Sequence, residues 1–196
     1  EDVVTAAVWI CRKACETPLA GKKILFVLAG RDFQESEYLV PRLALESWGA
    51  DIRVAGPGRD DCVGSAGLRV RPNVTHRAAA KEPVDAVVFV GGEGARSMAN
   101  CKECHDLART AVLAGKVVAA ICVAPSILAN AYLLTLKEAV AWHTELANLR
   151  TRGARIARRP VVRDENIVTA AGPRDADAFA EEIRKAILGE KKIEMT

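Results

Sequence analysis

Five consecutive apolar residues, Val117-Val-Ala-Ala-Ile121, run directly into Cys122, and Pro125 follows three positions later. No other stretch constrains the fold as tightly. An unbroken apolar run of this length reads as a strand buried on both faces, the kind found where helices cover a parallel sheet on either side. Proline suits the first turn of a helix, where its missing N–H costs nothing. The chain must therefore turn from strand to helix (Ser126 to about Leu134) within a few residues, with Cys122 on the corner. Such a corner crowds the backbone and needs small flanking residues, and Ala120 and Ala124 stand at minus two and plus two. The glycine version of this arrangement is the nucleophile elbow of hydrolases. A thiol so placed faces a helix start, whose dipole and free N–H groups favour thiolate. The alternative is a buried cysteine serving as a small hydrophobe.

The rest of the chain alternates in the same manner. Ile24–Ala29, Asp51–Ala55 and Val84–Val90 read as strands, with a helix from about Glu37 to Trp48 closed by Gly49. A second helix spans about Lys102 to Ala114, closed by Gly115. Residues 59–76 are polar and irregular, with a short strand at Leu68–Val70. Glu138–Trp142 reads as a short strand ending at His143. Pro160–Arg163 and Asn166–Ala170 flank Asp164-Glu165 as a hairpin, and Asp175 or Asp177 caps a last helix to about Leu188. Strands alternating with helices predict an α/β domain with a mostly parallel sheet. At 196 residues one such domain fits, assigned to residues 21–196. Residues 1–20 read as an N-terminal extension, an additional helix or strand rather than a signal peptide, since Glu1-Asp2 precedes the apolar stretch where a basic region belongs.

In open parallel sheets ligands bind beyond the carboxyl ends of the strands. Four features fall there: the acidic loop from Gly30 to Glu37, the pair Gly91-Gly92, Cys122 and His143. Gly91, Gly92 and the N–H of Val123 are candidate oxyanion donors, although a plain tight turn explains the glycines equally well. Of Asp32, Glu35 and Glu37, the last is the candidate for a protonated carboxyl held against the thiol. Pro41 removes the donor to the carbonyl of Glu37, which predicts an irregular first turn. His143 is a candidate base or proton shuttle.

A net charge of +3 gives no footprint for nucleic acid, and no stretch approaches the ~18 apolar residues of a membrane span. Six scattered cysteines do not make a disulfide scaffold, which places the chain by default in the cytoplasm. Cys101-Lys-Glu-Cys104-His105 resembles a metal or haem motif, and its three donors share one helical face. With no fourth ligand nearby in sequence, no metal and no cofactor are expected. The arginines at 150, 152, 155, 158, 159 and 163 read as a solvated face with ion pairs, since no aromatic residue interleaves them.

Taken together, Lys23-Ile-Leu-Phe-Val-Leu-Ala29, Glu37-Tyr-Leu-Val-Pro41, Ala50-Asp-Ile-Arg-Val-Ala55, Val90-Gly-Gly92, Ala119-Ala-Ile-Cys-Val-Ala-Pro125 and Gly172-Pro173 resemble the PfpI superfamily over about residues 22–189. The resemblance implies a flavodoxin-like sandwich of the class I glutamine amidotransferase type, a reactive cysteine at Cys122 and a partner glutamate at Glu37. It likewise implies oxyanion-side glycines at Gly91 and Gly92. The protease-like branch carries a histidine directly after the cysteine, where this chain has Val123. His143 is similar instead to the histidine near the cysteine in the Parkinson disease protein 7, or protein deglycase, branch. That branch implies glyoxalase or deglycase activity on small carbonyls, stress protection and a homodimer or higher homo-oligomer, with no cofactor, nucleic acid or membrane involved. A redox sensor or chaperone using oxidation of Cys122 is the alternative, and an intracellular cysteine peptidase or amidase the third reading.

Overall fold

The computed structural model describes residues 17–190. The reading of residues 1–16 as an added helix or strand lies outside the described residues. Within them, Leu19 is fully buried and its N–H bonds to Trp48 O at 2.9 Å, so the packed core already includes positions assigned to the extension.

In chain order the elements are β1 (Lys23–Val27), β2 (Arg31–Phe33), α1 (Glu35–Ser47), β3 (Asp51–Gly56), β4 (Cys62–Gly64), β5 (Arg69–Val70), β6 (Val74–Thr75), α2 (His76–Ala79) and β7 (Ala86–Phe89). A 3-10 turn (Glu93–Met98) follows, then α3 (Lys102–Leu113), β8 (Val117–Ile121), α4 (Pro125–Asn130) and β9 (Glu138–Ala139). A second 3-10 turn (His143–Glu145), α5 (Leu146–Thr151), β10 (Arg155–Ile156), β11 (Val161–Asp164), β12 (Ile167–Ala170), a third 3-10 turn (Pro173–Asp175) and α6 (Ala176–Ile187) complete the order.

Among the described residues seven strands form one sheet in the order β11-β12-β8-β7-β1-β3-β6, parallel except for β11. The central order β3-β1-β7-β8-β12 is that of the flavodoxin-like doubly wound folds. Every residue of β7, β8 and β12 is buried, as strands covered on both faces must be. Helices α1 and α6 pack on one another, while α3 packs on α2 and α4. The chain reverses winding between β1 and β7, and at such a switch point the loops leaving the strands diverge and open a crevice.

Local chemistry explains most boundaries. The Gln34 side chain accepts the Glu35 N–H at 3.1 Å and starts α1, and Gly49, at φ 93°, ends it. The helix runs through Pro41 from residue 35 to residue 47, so the expected irregular turn is absent. Residues 59–76 carry the expected short strand as β5 and two further ones: β4 and β5 pair with β2 in a separate sheet, and β6 pairs with β3 at the edge of the main sheet. Asp175 sits at the N-cap of α6 without a side-chain capping bond. Glu138–Trp142 is strand only at Glu138–Ala139, paired with β10 outside the main sheet. In the arginine stretch, residues 150, 155, 158 and 159 are exposed as expected and Arg159 pairs with Glu138, while Arg152 is half-buried against Tyr132 and Arg163 is buried beside Glu182 at 3.6 Å.

Phe26 on β1 is fully buried and meets the Tyr38 ring edge to face, 5.5 Å between centroids, which ties the central strand to α1. Phe26→Ala is expected to lower stability by ~3–5 kcal/mol. Urea unfolding would register this as a lower midpoint, and an unchanged midpoint would contradict the packing.

Candidate active site

Three loops leaving β1, β7 and β8 bring the chemistry together. Cys122 follows β8 at φ 64°, a left-handed conformation that residues other than glycine rarely adopt. The conformation is held from both sides. Cys122 N–H donates to Ala170 O on β12 at 2.9 Å, and Cys122 O accepts the Trp142 N–H at 2.7 Å. Beneath the elbow, Ser126 Oγ donates to Glu145 Oε2 at 2.6 Å, and Arg96 pairs with the same carboxylate. Burial would raise the Glu145 carboxyl, but Ser126 and Arg96 outweigh it and hold the group below its ordinary range. Backbone strain of this kind, over-determined by its surroundings, is characteristic of functional positions.

Glu37 lies in the first turn of α1 and is fully buried. The Cys122 thiol and the Gly91 N–H face its carboxyl, yet neither oxygen completes a hydrogen bond with any described residue. Burial therefore dominates and pushes the carboxyl up to about 7. Gly91 makes this approach possible. A Cβ there would run into Glu37 Oε2 and stand 2.8 Å from Cys122 Cβ. Gly92, at φ 97°, permits the contact between loops, since its Cβ would lie 2.5 Å from Asp32 O. The acidic loop is tied to this pair by Gln34 N–H donating to Gly91 O at 3.0 Å.

The expected lowering of the thiol is not what the site produces on balance. Burial, and then the negative charge of an ionised Glu37, push the Cys122 thiol up to about 12, against the lowering effect of the Gly92 and Val123 N–H groups. Helix α4 ends at Asn130 rather than near Leu134, and so short a helix adds little dipole. The two groups titrate as one unit. With one proton between them, the pair holds a single negative charge that sits either on the carboxylate or on sulfur. When the proton is on Glu37, the repelling charge is gone and the sulfur keeps its two backbone donors.

Cys122 and Glu37 open into one cavity of about 540 Å³, also lined by Asp32, Gln34, Val123 and Trp142. Glu35 turns elsewhere, accepting the N–H groups of Ala66 and Leu68 at 3.0 and 2.8 Å. His143 does not line this cavity. It lies tilted against Trp142, 4.9 Å between ring centroids, and lines an adjoining space of about 550 Å³. The reason is that the chain leaves β9 early and turns at Trp142, which puts the indole rather than the imidazole beside the cysteine. Gly91 also differs from expectation: the N–H groups facing sulfur are those of Gly92 and Val123, and that of Gly91 faces Glu37. Sequence reasoning missed Trp142 as a site residue, and Pro173, which also lines the cavity, entered only through the family resemblance. Gly172-Pro173 was a motif, and a Cβ on Gly172 would stand 3.0 Å from the indole.

A doubly wound sheet with a strained cysteine elbow and a buried carboxyl beside the sulfur defines a class of cysteine-centred α/β proteins. The chain belongs to the DJ-1/PfpI family, whose model matches residues 22–186. It is similar to a glutathione-independent glyoxalase of Caenorhabditis elegans, at 26% identity over 88% of this chain and 92% of that protein. It is also similar to the deglycase PfpI of Pyrococcus furiosus, at 27% identity over 84% of this chain and 99% of that one. Among solved structures, a ThiJ/PfpI domain protein from Brachyspira murdochii superposes with a TM-score of 0.82 at 29% identity, covering 86% of this chain and 99% of that chain.

A folded-state carboxyl raised from 4.5 to about 7 binds its proton more tightly than the unfolded chain does. The contribution of this proton to stability is therefore complete below pH 4.5, falls between 4.5 and 7, and is gone above 7. At ~1.4 kcal/mol per unit the loss reaches at most about 3–4 kcal/mol. Glu37→Gln is expected to abolish this fall, so that the variant gains on wild type as pH rises from 5 to 8. Thermal or urea unfolding at the two pH values measures it, and parallel curves would refute the buried-proton assignment.

Proposed function

We propose that this protein is a cysteine-dependent enzyme acting on small reactive carbonyls or their adducts, in the manner of a glyoxalase or deglycase. The observation that carries the reading is the meeting of Cys122, Glu37 and the Gly92 and Val123 N–H groups at one open cavity. The names of the nematode and archaeal relatives support it.

The chemistry follows from proton placement. With the shared proton on Glu37, the sulfur attacks the aldehyde carbon of a 2-oxoaldehyde, and the carbonyl oxygen takes up a proton to give a hemithioacetal. Glu37 is placed to carry the proton that leaves the former aldehyde carbon and returns at the neighbouring one, which converts the adduct to a 2-hydroxy thioester. Water then releases the 2-hydroxy acid and regenerates the thiol. The net change is addition of one water, with no external oxidant. The backbone N–H groups stabilise the oxygen as charge develops on it.

A redox role for the same cysteine is the second reading. It is favoured by the two partnerless Glu37 oxygens, since a protonated carboxyl at that place would donate to an oxygen added on sulfur. Val123, and an imidazole that lines a different cavity, weigh against the peptidase reading. No helix among the described residues is long and apolar enough to cross a membrane. A cytoplasmic location and a homodimer belong to the same proposal.

Incubation with methylglyoxal should yield lactate. Cys122→Ser should abolish turnover, and Glu37→Gln should reduce kcat by ~100-fold or more. Equal rates for wild type and Cys122→Ser would overturn the enzyme reading, and selective oxidation of Cys122 by mild peroxide without turnover would favour the redox one.

A further inference from the structure

On the α2–α3 side of the sheet lies a second cluster of soft donors. His76 opens α2, Cys101 is the N-cap of α3, and Cys104 lies in the first turn of α3. One ligand atom from each, the His76 ring nitrogen and the two sulfurs, lie within 4.8 Å of one another. Cys104 Sγ is 3.7 Å from His76 Nδ1. Cys104 is fully buried, His76 nearly so, and Cys101 partly exposed. The sequence suggested His105 as the nitrogen donor, but His105 Nε2 bonds to Ala99 O at 2.9 Å. The fold brings in His76 from 28 residues upstream of Cys104.

We propose that His76, Cys101 and Cys104 form a binding site for a thiophilic divalent cation, with zinc the best match. Three observations carry this. The donor set of two sulfurs and one imidazole is that of three-protein-ligand zinc sites. With ideal Zn–S near 2.3 Å and Zn–N near 2.1 Å, tetrahedral donors sit roughly 3.5–3.8 Å apart. The 3.7 Å between Cys104 Sγ and His76 Nδ1 already matches, and only Cys101 must close in. The third observation is the imidazole's other edge. His76 Nε2 lies 2.9 Å from Leu28 O, a backbone acceptor, so that nitrogen carries the proton and Nδ1 presents its lone pair to the sulfurs. A histidine that binds metal through one nitrogen and donates to a carbonyl with the other is fixed in tautomer and ring orientation.

Charge selects the cation. Binding M²⁺ displaces one proton from each thiol and releases two to solvent, and two thiolates with a neutral imidazole leave the buried site uncharged. A monovalent soft ion would leave a net negative charge against hydrophobic surroundings, which is costly. The fourth position lies toward the partly exposed Cys101, where a water can complete the shell and keep the site neutral. The cation would staple α2 to α3. His76 also holds Leu28, at the end of the strand from which the Glu37 loop departs.

The test uses the full chain carrying Cys11→Ser, Cys15→Ser and Cys122→Ser, so that these thiols cannot contribute. Titration with Zn²⁺ against a chromophoric chelator should show one equivalent bound. Substitution with Co²⁺ should give thiolate-to-cobalt charge transfer and the visible bands of a tetrahedral ion. Cys101→Ser, at a partly exposed position, and His76→Gln should each weaken Zn²⁺ binding by at least ~100-fold. Circular dichroism of each variant confirms that it is folded. Absence of binding, or binding that survives both substitutions in folded protein, would overturn the site.

Discussion

The site depends on one electrostatic constraint: two acidic groups, the Cys122 thiol and the Glu37 carboxyl, share a pocket too dry to hold two negative charges. Burial raises both, an ionised Glu37 raises the thiol further, and the facing thiol and Gly91 N–H only partly offset the burial of Glu37. The pair therefore retains a proton across neutral pH. That proton is a liability for stability and an asset for chemistry. It makes the carboxyl a donor when sulfur is the anion, and a carrier when a substrate proton must move.

Holding these groups together requires cooperation from distant parts of the chain. The elbow residue is fixed in a left-handed conformation by Ala170 and Trp142, and the carboxyl is admitted only because Gly91 has no side chain. Gly92 lets the β7 loop lie against the β2 segment, and Ser126, Glu145 and Arg96 brace the helix start from below. Packing therefore spends stability on strain at Cys122 and on burial of Glu37, while the parallel sheet supplies the apolar burial that offsets both.

Much of the architecture was legible from local chemistry. Apolar runs marked β1, β7 and β8, glycines marked helix ends, and Pro125 marked the turn after Cys122, because these signals act within a few residues. Short pairings were not legible. Strands β4 and β6 contain too few residues to impose a pattern, and their stability comes from partners elsewhere in the chain. The truncation of β9 escaped for the same reason. Glu138–Trp142 has strand-like composition, but its neighbour is the two-residue β10 rather than the main sheet.

The sequence by itself determined which residues could act: a cysteine on a strand-to-helix corner, an acidic residue at the start of α1, and a glycine pair after β7. Spacing along the chain suffices for that, since each motif owes its shape to its own backbone. Only the tertiary structure decided which residues meet. It put Trp142 beside Cys122 and turned His143 into the adjoining cavity, directed Glu35 to a loop and Glu37 to the sulfur, and joined His76 rather than His105 to Cys101 and Cys104. Proximity between segments tens of residues apart is set by strand order and helix packing, and no local pattern encodes either.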